Sequence, residues 1–93
     1  MPQPNEHDIT VPDLGAGKLP VRVCSWLVQI GETIHEGDRI VELSLPGVTF
    51  DIHSPADGQL IAMEKSTGDE VRQGDVLGRL LPLHEVHSGS AAN

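Results

Sequence analysis

Ninety-three residues carry fourteen acidic side chains against six basic ones, a formal charge of −8 at pH 7, and so lack the surplus of Lys and Arg that a nucleic-acid backbone or an anionic lipid surface demands. The length allows one domain, which at this size buries only about 60–65 per cent of its unfolded surface, so its core must be built from few side chains. With one Trp, one Phe and no Tyr, that core falls to Val, Ile and Leu, whose branched side chains pack well on a pleated sheet.

In chain order, residues 1–7 are polar with two prolines and are expected to be a disordered segment. They hold no basic stretch followed by an apolar run, and nothing in the chain is apolar for the length of a bilayer, so a soluble, cytoplasmic protein without membrane contacts is expected. The folded part is expected over 8–83. Within it apolar residues recur with period two: Ile9 and Val11, Val21 and Val23, Ile40, then Val41, Leu43 and Leu45, then Val48, Phe50 and Ile52. Gly, Pro and Asp bound these runs, the pattern of short strands in a barrel or sandwich. Cys24, the single cysteine, rules out an internal disulfide and reads as a small buried thiol in the run VRVCSWLV. Trp26 reads as a partly buried packing residue. The end, 84–93, is small and polar and is expected to be a disordered tail or linker stub.

A repeat organises the chain. GETIHEGDRIVEL, residues 31–43, aligns without a gap on GDEVRQGDVLGRL, residues 68–80, at an offset of 37. Each copy needs a glycine able to turn at positive φ, an inward β-branched residue and a second Gly-Asp turn before the next strand. Two copies are too few for a solenoid, so the repeat predicts a pseudo-twofold domain whose halves close one core.

LSLPGVTFDIHSP, residues 43–55, joins the halves. With Pro46 and Gly47 as central turn residues, Leu45 faces Val48, Leu43 faces Phe50 and Val41 faces Ile52 on one buried side, while Ser44 faces Thr49 and Glu42 faces Asp51 on the other. Pro then Gly fits a type II turn, which suits hairpin twist less well than a primed turn, so a local adjustment is expected at the tip.

The segments ITVPDLGAG (9–17), VRVCSWLVQIGETIHEGDRIVEL (21–43), IHSPADGQL (52–60) and GDEVRQGDVLGRL (68–80) together resemble the lipoyl and biotinyl carrier domains, in particular the lipoyl domains of 2-oxo-acid dehydrogenase acyltransferases. The resemblance implies a flattened barrel, a barrel-sandwich hybrid of two four-stranded antiparallel sheets related by a pseudo-twofold. It also implies a hairpin that presents a lysine, usually within Glu-Thr-Asp-Lys-Ala, for lipoyl or biotinyl in amide linkage. Counted without gaps from either side, that position falls on Gly47, with Ser44 and Pro46 where acidic residues usually stand. An amide needs an amine, so no cofactor is expected, and lipoate enters by resemblance alone. The only lysines are Lys18 and Lys65. Lys18 lies in the loop that in lipoyl domains packs near the modified hairpin, and Lys65 falls opposite Val28 in the repeat, at a strand end.

The expected function is a noncatalytic protein-interaction module related to 2-oxo-acid dehydrogenase complexes, whose subunits are the expected partners. Its contact surface is expected at Leu45, Pro46, Gly47 and Val48 with Leu14 and Lys18 beside them. The alternative is a true swinging-arm carrier of an acyltransferase or carboxylase, modified at Lys18 or Lys65. Enzymatic chemistry finds no support: the serines lie in no Gly-X-Ser-X-Gly elbow, the histidines at 7, 35, 53, 84 and 87 lack metal-ligand spacing, and GAG at 15–17 lacks a full dinucleotide-binding pattern.

Overall fold

The structure, a computed structural model, describes residues 6–83. Residues 1–5 and 84–93, which hold the expected tail with His84 and His87 and most of the expected leading segment, lie outside the described residues.

Eight strands follow one another: β1 (His7–Thr10), β2 (Val21–Trp26), β3 (Thr33–Ile34), β4 (Arg39–Leu45), β5 (Val48–His53), β6 (Gly58–Met63), β7 (Glu70–Val71) and β8 (Val76–Pro82). They form two four-stranded antiparallel sheets, ordered β1-β8-β6-β3 and β5-β4-β2-β7. The period-two residues supply the interior: Ile9, Val23, Ile40, Leu43, Leu60 and Leu80 are at most 1% exposed. Among the described residues no ladder runs from one sheet into the other, so the expected flattened barrel is not closed by hydrogen bonds between its two sheets. Among the described residues no helix is long and apolar enough to cross a membrane.

The repeat reappears as a hydrogen-bond pattern. Gly31 N donates to Leu60 O (2.7 Å) and Leu60 N to Glu32 O (3.0 Å); 37 residues away on each strand, Gly68 N donates to Val23 O (2.8 Å) and Val23 N to Asp69 O (2.9 Å). The turns match as well: Asp38 N donates to His35 O and Asp75 N to Arg72 O, while Asp38 and Asp75 accept from the His35 and Arg72 amides at 2.9 Å each. Register shifts repeat too, at Val23/Ser25 against β4 and at Leu60/Ala62 against β8. Between β1 and β5 the offset is 43 instead of 37, because the connection from β1 to β2 is longer than that from β5 to β6.

One residue departs from its expected place. Cys24 is exposed: β2 alternates, with Val21 and Val23 inward and Arg22 and Cys24 outward, and the register shift at that point leaves Cys24 without a cross-strand partner. Trp26 is half-buried as expected, with its indole Nε1 donating to Lys65 O at 2.8 Å. Its ring lies against Gly78 on the opposite sheet, where a Cβ would fall 3.0 Å from the ring and 2.5 Å from Ala62 O. Only glycine lets the backbone come that close.

The hairpin's apolar side is not buried throughout. Val41 and Leu43 are fully enclosed and Ile52 nearly so, but Phe50 is 36% and Val48 48% exposed, and Leu45 is half-buried against the edge of the core. The strands outrun the sheet that covers them. Replacing Leu43 by Ala should therefore cost about 2–5 kcal/mol through loss of burial and the cavity left behind, and Phe50→Ala about 1 kcal/mol or less. Urea denaturation measures both; equal losses would contradict the division of the hairpin into a buried root and an exposed tip.

Candidate functional site at the hairpin tip

The β4–β5 ladder runs without a break from Glu42↔Asp51 through Leu43↔Phe50 and Ser44↔Thr49 to Leu45↔Val48. Pro46 and Gly47 alone make the turn. Proline fixes a negative φ at the first central position and Gly47 has φ +79°, the combination of a type II turn. The register predicted from sequence is the one observed, and the adjustment expected at the tip is absent; the ladder's one shift lies at the root, between Arg39 and Val41. The irregularity is confined to the root, where a bulge bends the strand, and the tip stays regular. The apex carries no ionisable, nucleophilic or metal-ligating group. It presents Leu45, Pro46, Val48 and Phe50.

The connection from β1 to β2 comes to the same end of the sheet. It is shaped by Asp13, whose Oδ1 accepts from Gly15 N at 2.9 Å, and by a turn in which Leu19 N donates to Ala16 O at 3.0 Å. Leu14 and Ala16 pack partly against the core while Lys18 and Leu19 are exposed. The connection enters β2 at Val21, one residue before Arg22, which pairs with Ser44. Leu14, Lys18 and the hairpin tip therefore share one end of the molecule. Lys65 does not join them: it follows β6, and its carbonyl holds the Trp26 indole.

Between this connection and the residues around β7 lies a groove of about 650 Å³, walled by Leu14, Lys18 and Leu19 on one side and by Val71, Arg72 and Gln73 on the other. A second hollow of about 320 Å³ separates β1 from β5. Its lining pairs Asp8 with Asp51, Ile9 with Ile52, Thr10 with His53 and Pro12 with Pro55 at the offset of 43, so it straddles the pseudo-twofold.

On the outer face of the hairpin sheet, Glu42 sits opposite Asp51. Asp51 is neutralised by Arg39 at 3.2 Å, whereas Glu42 acts on the Cys24 thiol. Its hydrogen-bonding influence, with lesser contributions from desolvation and the carboxylate's charge, raises the thiol above its ordinary value. Cys24 is accessible but kept as a thiol, the less nucleophilic form. No group of three or more His, Cys, Asp or Glu among the described residues is arranged to hold a metal ion.

The sequence model of the biotin-requiring enzyme family, the biotin and lipoyl domains, matches residues 7–80. The chain belongs to this family. The domain is similar to the lipoamide acyltransferase component of the branched-chain alpha-keto acid dehydrogenase complex of Pseudomonas aeruginosa, at 32% identity over 86 residues, 92% of this chain and 19% of that protein. It is 35% identical over 75 residues, 80% of this chain and 13% of the other, to the acetyltransferase component of the pyruvate dehydrogenase complex of the same bacterium. Among solved structures it superimposes on the lipoyl domain of the 2-oxoglutarate dehydrogenase complex from Azotobacter vinelandii with a TM-score of 0.66 and 28% identity, covering 80% of this chain and 94% of that one. A multi-domain long-chain acyl-CoA carboxylase shares the fold, with a TM-score of 0.73 at 19% identity over 98% of this chain and 9% of its own length. The chain thus spans about a fifth or less of the curated relatives it matches. Domains of this family are carrier modules that hold lipoate or biotin covalently and are not themselves catalytic.

The thiol gives a direct check on the geometry beside the hairpin. Glu42→Gln removes the charge and the strong acceptor that hold Cys24 protonated, so its pKa should fall and alkylation by iodoacetamide near pH 8 should quicken. The pH–rate profile should move to lower pH. An unchanged profile would show that Glu42 does not reach the thiol.

Proposed function

We propose that this domain is a lipoyl-type module with a vacant attachment position, and that it acts in the cytoplasm as a noncatalytic interaction partner associated with 2-oxo-acid dehydrogenase complexes. The observation that carries this reading is Gly47. In the family the hairpin between the halves presents a lysine amine to the ligase, and here that position holds a residue without a side chain. The unbroken ladder on both sides of the turn supports it, because no slip of register brings another residue to the apex.

Leu45, Pro46, Gly47 and Val48, with Leu14 and Lys18, form the contact surface of this reading, an apolar knob with one cation beside it. Apolar tips at the end of a rigid hairpin suit a shallow apolar recess in a protein partner.

Coexpression with a lipoate ligase or a biotin ligase should leave the intact mass unchanged. A gain of one lipoyl or biotinyl group would overturn the vacancy, and peptide mapping to Lys18 or Lys65 would establish a displaced carrier in its place.

A further inference from the structure

The two halves agree in most of their turn contacts, and one of the differences leaves a donor open. In the first half, Glu36 N donates to Asp57 Oδ1 at 2.7 Å, so a carboxylate on the β5–β6 connection caps the turn at His35–Asp38. The equivalent amide, 37 residues on, is Gln73 N, in the turn at Arg72–Asp75. That turn has the same internal hydrogen bonds and a glycine of the same conformation, φ +88° at Gly74 against +90° at Gly37. Yet Gln73 N meets no acceptor among the described residues. The connection that would supply one, from β1 to β2, is longer and stands away, and the space it leaves is the 650 Å³ groove, with Gln73 in its wall.

The charges of the groove fit the missing group. Four ionisable side chains line it: Asp13, Lys18, Glu70 and Arg72. Both acids are engaged elsewhere, Asp13 with Gly15 N at 2.9 Å and Glu70 with Arg22 at 3.6 Å. Lys18 and Arg72 form no ion pair among the described residues, whereas Arg22, Arg39 and Arg79 all do. In a chain of charge −8, two uncommitted cations and an open amide donor thus line one groove together with the apolar Leu14, Leu19 and Val71. Donors of this kind recognise a carboxylate.

We propose that this groove binds an acidic peptide segment of a partner protein, whose Asp or Glu carboxylate caps Gln73 N as Asp57 caps Glu36 N, between Lys18 and Arg72. The occupant is a peptide because its counterpart in the other half is one: Asp57 reaches its turn from the bent segment Ser54–Asp57, and a bound chain carrying an acid and an adjacent apolar residue repeats that approach. This deepens the reading of the domain as an interaction module. It concerns the groove and not the vacant apex.

The test is a titration of the 15N-labelled domain with a blocked synthetic peptide, acetyl-Leu-Pro-Ala-Asp-Gly-Leu-amide, followed by heteronuclear NMR. The Gln73 amide should shift downfield toward the position of the Glu36 amide, with further shifts confined to the groove. The Asn-for-Asp peptide should bind several-fold more weakly. Lys18→Gln and Arg72→Gln should each weaken binding about two- to fivefold, the scale of an exposed ion pair, and Lys65→Gln, outside the groove, should not. Absence of any shift at Gln73, equal binding of the Asn peptide, or an equal effect of Lys65→Gln would overturn the proposal. The ligase experiment reads covalent modification and not occupancy of the groove, so failure here leaves the vacancy reading standing, and failure there leaves this one.

Discussion

The structure depends on how its two halves are interleaved. Each sheet takes its two central strands from one half of the chain and both edge strands from the other: β8 and β6 between β1 and β3, β4 and β2 between β5 and β7. Neither half owns a sheet. The paired backbone bonds between the Gly31 turn and Leu60, and between the Gly68 turn and Val23, bind each half's turn to the other half's central strand. A core of aliphatic residues with one Trp packed against it is thereby drawn from both halves at once. The cost is long-range pairing, with ladders such as β1–β8 closing nearly the whole chain.

This arrangement makes the β4–β5 hairpin the only place where consecutive halves meet through a tight turn. Its root is held inside the sandwich by Val41, Leu43 and Ile52, and its tip stands clear with Val48 and Phe50 exposed. A rigid base and a free end serve a group that must be presented to other proteins, which is the task of a carrier domain. Here the same mechanical design ends in Pro46 and Gly47. The turn is a good one for those two residues: proline supplies the first φ and glycine the positive second. Lysine at 47 in that conformation would bear a left-handed backbone costing about 1–2 kcal/mol, so the apex is shaped around its glycine as well as lacking the amine.

Much of this was legible in the sequence. The offset of 37 between GETIHEGDRIVEL and GDEVRQGDVLGRL gave the pseudo-twofold, and alternation around Pro46–Gly47 gave the hairpin register residue by residue, because a side-chain period of two leaves one register that keeps Val41, Leu43 and Ile52 together. What it did not give came from where burial ends. Alternation marks the face a residue is on and not whether a second sheet covers that face, so Phe50 and Val48 read as core. Cys24 was misread because a small apolar neighbourhood in sequence, VRVCSWLV, becomes two opposite faces once it is a strand. The groove beside Gln73 and Arg72 left a trace that alignment of the repeat alone passes over: the offset changes from 37 to 43 before β2, marking a longer connection. The difference in hydrogen bonding that follows, Asp57 on Glu36 and nothing among the described residues on Gln73, is visible only when the two turns are compared in space.

The central claim is that this scaffold is a complete lipoyl-type domain except at its apex. The most direct measurement is the intact mass, after coexpression with a lipoate ligase, of a variant carrying Ser44→Glu, Pro46→Asp and Gly47→Lys together, since all three positions set both the recognition and the conformation of the turn. The account predicts a gain of one lipoyl group on the new lysine with circular dichroism like that of the parent. A variant that keeps the parent's spectrum and stays unmodified would contradict it, placing the loss of modification in the scaffold and not at Gly47.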